Sequence, residues 1–390
     1  MAKFVFQNTT KVYFGPEQLE YLPEEVRKYG EKVLLVYGGG SVKKTGLHGR
    51  ITAMLENAGV KVVDFGGVEP NPRHTTVNRG AQICREKGIE AVLAVGGGSA
   101  IDCAKVIAAT VCYEGGECWD LVKHKAPVKE ALPVITVLTL AATGSEMNSG
   151  GVISNMETNE KIGLHDPLLR PKVSFLDPTV TFTVNAFQTA CGSFDIMSHI
   201  FDAGYFCRGE KMAMLDGVME AVLRTVVAYA PVACREPENY EARENLMWAA
   251  SWALNDFLYN GVVQRTSCHS IEHELSAFYD ITHGLGLAIL TPRWMEYLLD
   301  ETTAPDFKKF GVNVFGLDAS LSDMDGAKAA IEALKKFLFE ELGLTGTLTE
   351  LGIDDRDFAK MAKKACRGDV LEGYRDLTPE DVEKIYRMCL

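Results

Sequence analysis

Two stretches of this chain share one pattern: an apolar run ends in Gly-Gly-Gly-Ser, and helical periodicity comes next. Lys32 to Tyr37 runs into Gly38, Gly39, Gly40 and Ser41, with helical spacing to about Ala58 and a stop at Gly59. Ala91 to Val95 runs into Gly96, Gly97, Gly98 and Ser99, with helical spacing through Val111. A continuous apolar run marks a strand buried on both faces, which is the situation of a parallel sheet. Val60–Phe65, Pro133–Leu138 and Lys172–Leu176 read as further strands, and helical segments alternate with them. That alternation predicts a doubly wound parallel sheet. Phe4–Phe6 and Lys11–Gly15 read as short strands, Pro16–Tyr29 as helical, and Val152–Ser154 with Lys161–Gly163 as a hairpin. After Asn185 the strand runs stop. Ala186–Phe206, Glu210–Tyr229, Tyr240–Tyr259, Val262–Phe278 and His283–Leu298 all read as helices. The expected fold is an α/β domain over residues 1–183 and an all-α domain over residues 184–390.

A strand that delivers bare glycine backbone to a helix start makes an anion site, from orphan N–H groups and the positive end of the helix dipole. One such turn is equally well explained as a tight corner. Two on neighbouring strands point to a dinucleotide, although neither is a G-x-G-x-x-G fingerprint. An acidic residue at a strand end commonly grips the ribose 2′-hydroxyl. Here that place is Gly38–Ser41, and Lys43 and Lys44 come after it, with no carboxylate in sequence to repel a 2′-phosphate. This points toward NADP(H) and leaves NAD(H) open; as surface lysines, Lys43 and Lys44 are equally ordinary. The hydroxyl-rich segment Thr139–Glu146 offers Thr139, Thr143 and Ser145 as further cofactor contacts, or simply as caps of the next element.

Chemistry concentrates in Arg265–Ala288, which holds His269, His273 and His283. Upstream, Asp195 and His199 are spaced i, i+4, and so are His269 and His273, so each pair shares one helix face. A carboxylate with imidazoles and no thiolate is a ligand set for a divalent first-row cation. His269 and His283 lie 14 residues apart, about 21 Å on one unbroken helix. The chain must bend between them, and Phe278–Thr282 is the expected break, with Thr282 capping the next helix. The proposed cluster is Asp195, His199, His269 and His283, with His273 beside it.

The net charge of −13 argues against nucleic-acid or anionic-membrane partners. No uninterrupted apolar run is long enough for a membrane span. Ten cysteines without CxxC pairs fit reduced thiols in a cytoplasm.

The motifs CHSIEHELSAFYDITHG, FDIMSHI and VGGGSAIDCAK together resemble the iron-containing (group III) alcohol dehydrogenases, in the butanol dehydrogenase-like branch. The likeness runs from VYFG near the start to TPRW at 291–294 and more loosely beyond. It implies a Rossmann-like sheet domain joined to a helical one, in a dehydroquinate synthase-like architecture. It implies that Asp195, His199, His269 and His283 match the family's metal ligands, and His273 its additional active-site histidine. Gly96–Ser99 then lies under a pyrophosphate, with Asp102 and Lys161 near the cofactor. It implies ferrous iron, with zinc open, and a homodimer. Thr266 departs from the branch, which has an aromatic residue at that place. The activity implied is hydride transfer between NAD(P)(H) and a short- to medium-chain primary alcohol or aldehyde in a cleft between the domains. His273 either relays the alcohol proton or orients a ligand. Alternatives within the same architecture are a glycerol dehydrogenase-like polyol oxidoreductase, a lyase resembling dehydroquinate synthase, and a non-catalytic metal- or nucleotide-binding relative.

Overall fold

The computed structural model describes residues 3–207, 212–260 and 267–390. The chain divides into two compact units, Gln7–Thr183 and Val184–Leu390 together with the N-terminal residues up to Phe6.

The first unit is built on a six-stranded, wholly parallel sheet. Its strands are β1 (Lys11–Phe14), β2 (Lys32–Val36), β3 (Lys61–Phe65), β4 (Ala91–Gly96), β5 (Val134–Leu138) and β8 (Val173–Leu176), in the order β1-β8-β5-β4-β2-β3. Helices α1 (Leu22–Arg27), α2 (Ser41–Lys44), α3 (Leu47–Asn57), α4 (His74–Lys87), α5 (Gly98–Val111) and α6 (Cys118–Val122) connect them. A separate antiparallel hairpin pairs β6 (Gly150–Asn155) with β7 (Glu160–His165). The apolar runs are buried as expected. Val33, Leu35, Leu93, Ile135 and Phe175 are fully enclosed, with Ile51 and Leu55 of α3 packed on them. Lys11, Tyr13 and Lys28 all hydrogen-bond the buried Glu25 carboxylate, tying β1 to α1.

The strand order carries a functional consequence. From β2 the chain goes outward to β3, then returns to β4 on β2's other side. From β4 it proceeds the opposite way, to β5. The order therefore reverses between β2 and β4, and the Gly38–Ser41 and Gly96–Ser99 turns leave the carboxyl ends of these two strands. In open α/β sheets this reversal point is where ligands bind.

The second unit is helical: α7 (Ala186–Ile200), α8 (Ala213–Arg235), α9 (Tyr240–Ala253), α10 (Ser267–Tyr279), α11 (His283–Leu298), α12 (Ala304–Phe315), α13 (Asp323–Lys335), α14 (Phe358–Ala365) and α15 (Pro379–Met388). Thr378 caps α15 with a capping box to Asp381.

Several expectations are corrected. Phe4–Phe6 form no strand; Phe6 sets its ring edge-on against Phe257, with centroids 5.6 Å apart. Pro16–Tyr29 divides into a 3₁₀ turn (Gln18–Tyr21) and the short α1. The helix expected over Ala186–Phe206 ends at Ile200 and passes into a π-helical turn, Phe201–Tyr205, with Gly204 at φ 135°. Glu210, the expected start of the next helix, lies outside the described residues, and so do Val262, Val263, Arg265 and Thr266. Helix α8 continues past Tyr229 to Arg235. By length and composition it is apolar enough to cross a membrane. Asp216, Glu220 and Arg224 interrupt it on one face, and each pairs with α12: Lys309 with Asp216 (2.5 Å), Asn313 with Glu220 (2.8 Å), and Arg224 with the Asn313 carbonyl (2.9 Å). Buried Met219, Leu223, Val226 and Ala230 make it a core helix of this unit.

Candidate metal centre and nucleotide turns

Asp195 and His199 stand one turn apart on α7, whose start is capped by the Asn185 side chain accepting from Gln188 N–H (2.8 Å). His269 lies in the first turn of α10, and His283 opens α11. The expected bend falls between those helices. Asp280 takes a left-handed conformation (φ 52°), which Asp tolerates better than most residues. Thr282 occupies the N-cap position, but its side chain makes no capping bond, contrary to expectation; its carbonyl accepts from Leu285 and Gly286 N–H (3.0 Å each). The fully buried Glu272 stabilises the bend. One carboxylate oxygen accepts from the Ser276 hydroxyl (2.5 Å), and the other meets His283 Nδ1.

Four side chains thereby converge. Asp195 Oδ1 is 3.8 Å from His199 Nε2 and 3.7 Å from His283 Nε2. The ligand atoms of Asp195, His199 and His269 all lie within 4.8 Å of one another. The His199 and His269 rings stack at 4.9 Å, and those of His269 and His283 are 5.3 Å apart. Separations of 3.7–3.8 Å are too long for hydrogen bonds. Atoms ligating one ion at about 2.1 Å stand roughly 3–3.5 Å apart, close to what is seen. Asp195 Oδ1 and His269 Nε2 are buried without a hydrogen-bond partner among the described residues. Buried polar atoms left unpaired are costly, so a shared cation is a fitting explanation for the pair.

The imidazoles are prepared for that task. Asp202, in the π-helical turn after α7, bonds His269 Nδ1 (2.5 Å) and accepts from its backbone N–H (3.2 Å). Glu272 does the same for Nδ1 of His283. With Nδ1 engaged, Nε2 is the nitrogen left to face a cation, and its basicity rises. Burial lowers the pKa of His199 to about 4, against the opposing pull of Asp195, so its ring is neutral and keeps a lone pair at neutral pH. Burial also opposes charge on His269, but the bond and charge of Asp202 outweigh it and raise its pKa. His273 is half-buried; its ring lies 5.6 Å from that of His283 and 6.4 Å from that of His269. Glu272, His273 and His283 form a second close group of ligand-type atoms.

Gly284 sets the approach of α11 to α7. A Cβ there would stand 2.2 Å from the Cys191 carbonyl oxygen, which belongs to backbone and cannot swing aside. Gly284→Ala is expected to cost about 1–3 kcal/mol or more and to loosen the cluster. Urea unfolding together with metal content after dialysis checks both effects.

In the first unit, α5 begins at Gly98 with no side-chain cap and no acidic residue in its first turn, so its positive end is open to an anion. Its glycines are required by packing: a Cβ on Gly98 would stand 2.5 Å from the Thr143 side chain, and one on Gly96 2.6 Å from Ala100 Cβ. Thr139 N–H bonds the Gly96 carbonyl (3.0 Å). The Ser99 hydroxyl is held by the Pro70 carbonyl. Asp102 and Ser145 bond each other (2.5 Å), and Val152 N–H donates to the other Asp102 oxygen (2.9 Å). Removal from water raises the Asp102 carboxyl, with Lys105 pulling the other way. Lys105, fully buried, reaches Ser145 Oγ (2.9 Å), Asn148 Oδ1 and O (3.0 Å each) and the Gly150 carbonyl (2.8 Å). This network fixes the Thr139–Gly150 segment on α5. Lys161 sits on β7 opposite Ser154.

One sequence inference fails at the other turn. A carboxylate does stand there: Asp64 of β3 accepts from Tyr37 Oη (2.7 Å) and Lys43 Nζ (3.1 Å) and bonds His48 Nε2 (2.6 Å). Asp64 is 21 residues from Lys43 in sequence, so only strand pairing reveals it. Asp202 and Glu272 were equally overlooked. The signal for each was a carboxylate beside a histidine, in HIFD and EHE.

Comparison with known proteins shows the family of the chain. A family profile described as iron-containing alcohol dehydrogenase matches residues 9–178, and one described as the C-terminal part of the Fe-containing alcohol dehydrogenase family matches residues 189–390. NADH-dependent butanol dehydrogenase A of Clostridium acetobutylicum is 49% identical over 389 residues, 99% of each chain. NADPH-dependent aldehyde reductase of Escherichia coli is 36% identical over 367 residues, 93% of each. The crystal structure of NADH-dependent butanol dehydrogenase A from Thermotoga maritima superposes with a TM-score of 0.93 at 38% identity, covering 100% of this chain and 99% of that one. The chain belongs to the iron-containing alcohol dehydrogenase family, in its butanol dehydrogenase-like branch.

Proposed function

We propose that this protein interconverts a short- to medium-chain primary alcohol and its aldehyde, with a nicotinamide dinucleotide as hydride partner and one divalent cation held by Asp195, His199, His269 and His283. The observation that carries the reading is the convergence of those four side chains, with Asp195 Oδ1 and His269 Nε2 buried and unpaired among the described residues. When bound there, the cation supplies Lewis-acid polarisation of the substrate oxygen. Asp202 and Glu272 hold the rings of His269 and His283 so that their Nε2 atoms face inward. His273 accepts the alcohol proton at an imidazole nitrogen and passes it to solvent, as a general base beside the cluster.

In the sheet unit, Gly96, Gly97, Gly98 and Ser99 offer backbone N–H groups at the start of α5 to the diphosphate. Gly39, Gly40 and Ser41 receive the adenosine ribose. Thr139, Thr143 and Lys161 line the remaining path, and the Asp102–Ser145–Lys105 network holds that path in shape. The nicotinamide partner is NAD(H), because Asp64 already engages Lys43, and because the C. acetobutylicum relative is an NADH-dependent enzyme. Ferrous iron is the proposed cation on the family's description; the imidazole–carboxylate set suits zinc as well, and elemental analysis of anaerobically purified protein separates the two. Buried Leu258 and half-buried Phe257 and Tyr259 favour an aliphatic substrate. A cytoplasmic homodimer completes the reading; ten cysteines, none of them in a disulfide, fit a reducing compartment.

The test is consumption of NADH with butanal. Activity is expected from the purified protein, is expected to vanish on chelation, and should return with ferrous iron or zinc. Full activity in protein shown to be metal-free would defeat the proposal.

A further inference from the structure

The carboxyl end of β2 is stitched to the segment after β3. Tyr37 N–H bonds the Phe65 carbonyl (3.1 Å), Gly67 N–H that of Gly38 (3.1 Å), and Val68 N–H that of Tyr37 (3.2 Å). Four side chains form a knot on this seam. The Tyr37 ring lies over Gly66, where a Cβ would come within 2.4 Å of it, so its hydroxyl is held toward Asp64. Lys43 Nζ sits 4.9 Å above that ring, and His48 meets its edge at 5.1 Å. All three donors end on the Asp64 carboxylate.

We propose that Asp64 is the residue that sets cofactor choice in this protein, by holding Lys43 and placing a fixed negative charge beside the Gly38–Ser41 turn. A ribose bearing a 2′-hydroxyl is then tolerated. A 2′-phosphate has to face the carboxylate while the Lys43 ammonium group is already engaged by it. Discrimination therefore comes from an introduced repulsion as much as from an attraction. Asp64 belongs to β3, the neighbouring strand, and reaches the turn only through the β2–β3 pairing. Holding by three donors gives the carboxylate a fixed position, which a lone surface acid would lack. The inference rests on the reading of Gly38–Ser41 as the seat of the adenosine ribose.

Calorimetric binding of two probes, 5′-ADP and 2′,5′-ADP, to the full chain tests it. The wild type is expected to bind 5′-ADP more tightly. In Asp64→Asn, which removes the charge and releases Lys43, the affinity ratio is expected to move by about tenfold toward 2′,5′-ADP. Asp64→Ser should move it the same way, and Asp64→Glu should keep it near the wild-type value. Adding Lys43→Met to Asp64→Asn should erase most of the gain. An unmoved ratio in Asp64→Asn or Asp64→Ser, with 5′-ADP still bound, would overturn the role of Asp64 alone. Binding of neither probe by the wild type would overturn the nucleotide reading of the turn itself, and this inference with it.

Discussion

Glu272→Gln is expected to lower metal affinity by about 10–100-fold, and Asp202→Asn by a similar factor, with folded structure retained. Both substitutions are nearly isosteric and lie outside the proposed ligand set. Each removes the negative charge that holds the Nδ1 proton of a histidine: His283 for Glu272, and His269 for Asp202. Without it the ring is less basic at Nε2 and freer to rotate. Glu272 has a further duty, since its other oxygen receives the Ser276 hydroxyl at the end of α10. Asp195→Asn sets the upper bound. It alters the oxygen that His199 and His283 both face, and it should leave a folded chain with no retained metal and no butanal reduction. Metal content after dialysis against graded chelator, with circular dichroism as the fold control, gives the ranking. Equal metal retention in wild type and Glu272→Gln would show that the bond to His283 has no part in holding a cation.

Lys105→Met should destabilise the protein by about 3–5 kcal/mol, the range for removing one partner from a buried charged network. The methionine fills most of the volume. It leaves Ser145 Oγ, the Asn148 and Gly150 carbonyls and the Asn148 side-chain oxygen without their shared donor. Asp102 also loses the positive charge that favours its ionised form. Urea unfolding measures the loss. A second readout is specific to the site: 5′-ADP affinity should fall, because the Thr139–Gly150 segment is no longer pinned to α5. A stability change below about 1 kcal/mol would mean that the four oxygens find other partners.

Much of this molecule was legible in its sequence because burial leaves local marks. Strands β2, β4, β5 and β8 are enclosed on both faces, so their apolar runs are unbroken. The convergence of Asp195, His199, His269 and His283 could be anticipated because i, i+4 spacing and an unavoidable bend leave few arrangements. Other features were hidden because they depend on distant pairing. Asp64 reads as one more polar residue of a half-exposed edge strand until β3 is laid beside β2. Lys105 looks like an ordinary helical lysine, and only the path of residues 143–150 turns it into a buried donor. Asp202 and Glu272 were in plain view, but a carboxylate in a helical run is usually solvated, and nothing local separates it from one facing inward. Phe4–Phe6 mislead for the opposite reason: alternation and aromatic content suit a strand, yet no neighbouring strand pairs with them among the described residues.

That last segment bears on how the protein is made. Phe6 is translated well before its aromatic partner Phe257, which lies 251 residues further along the chain. Everything between Gln7 and Thr183 can collapse into a finished sheet unit in the interval. Phe6 therefore waits for that contact while the residues between are made, and the contact closes only when Phe257 arrives. Protection of this apolar segment is a point at which a nascent chain of this protein would profit from a chaperone.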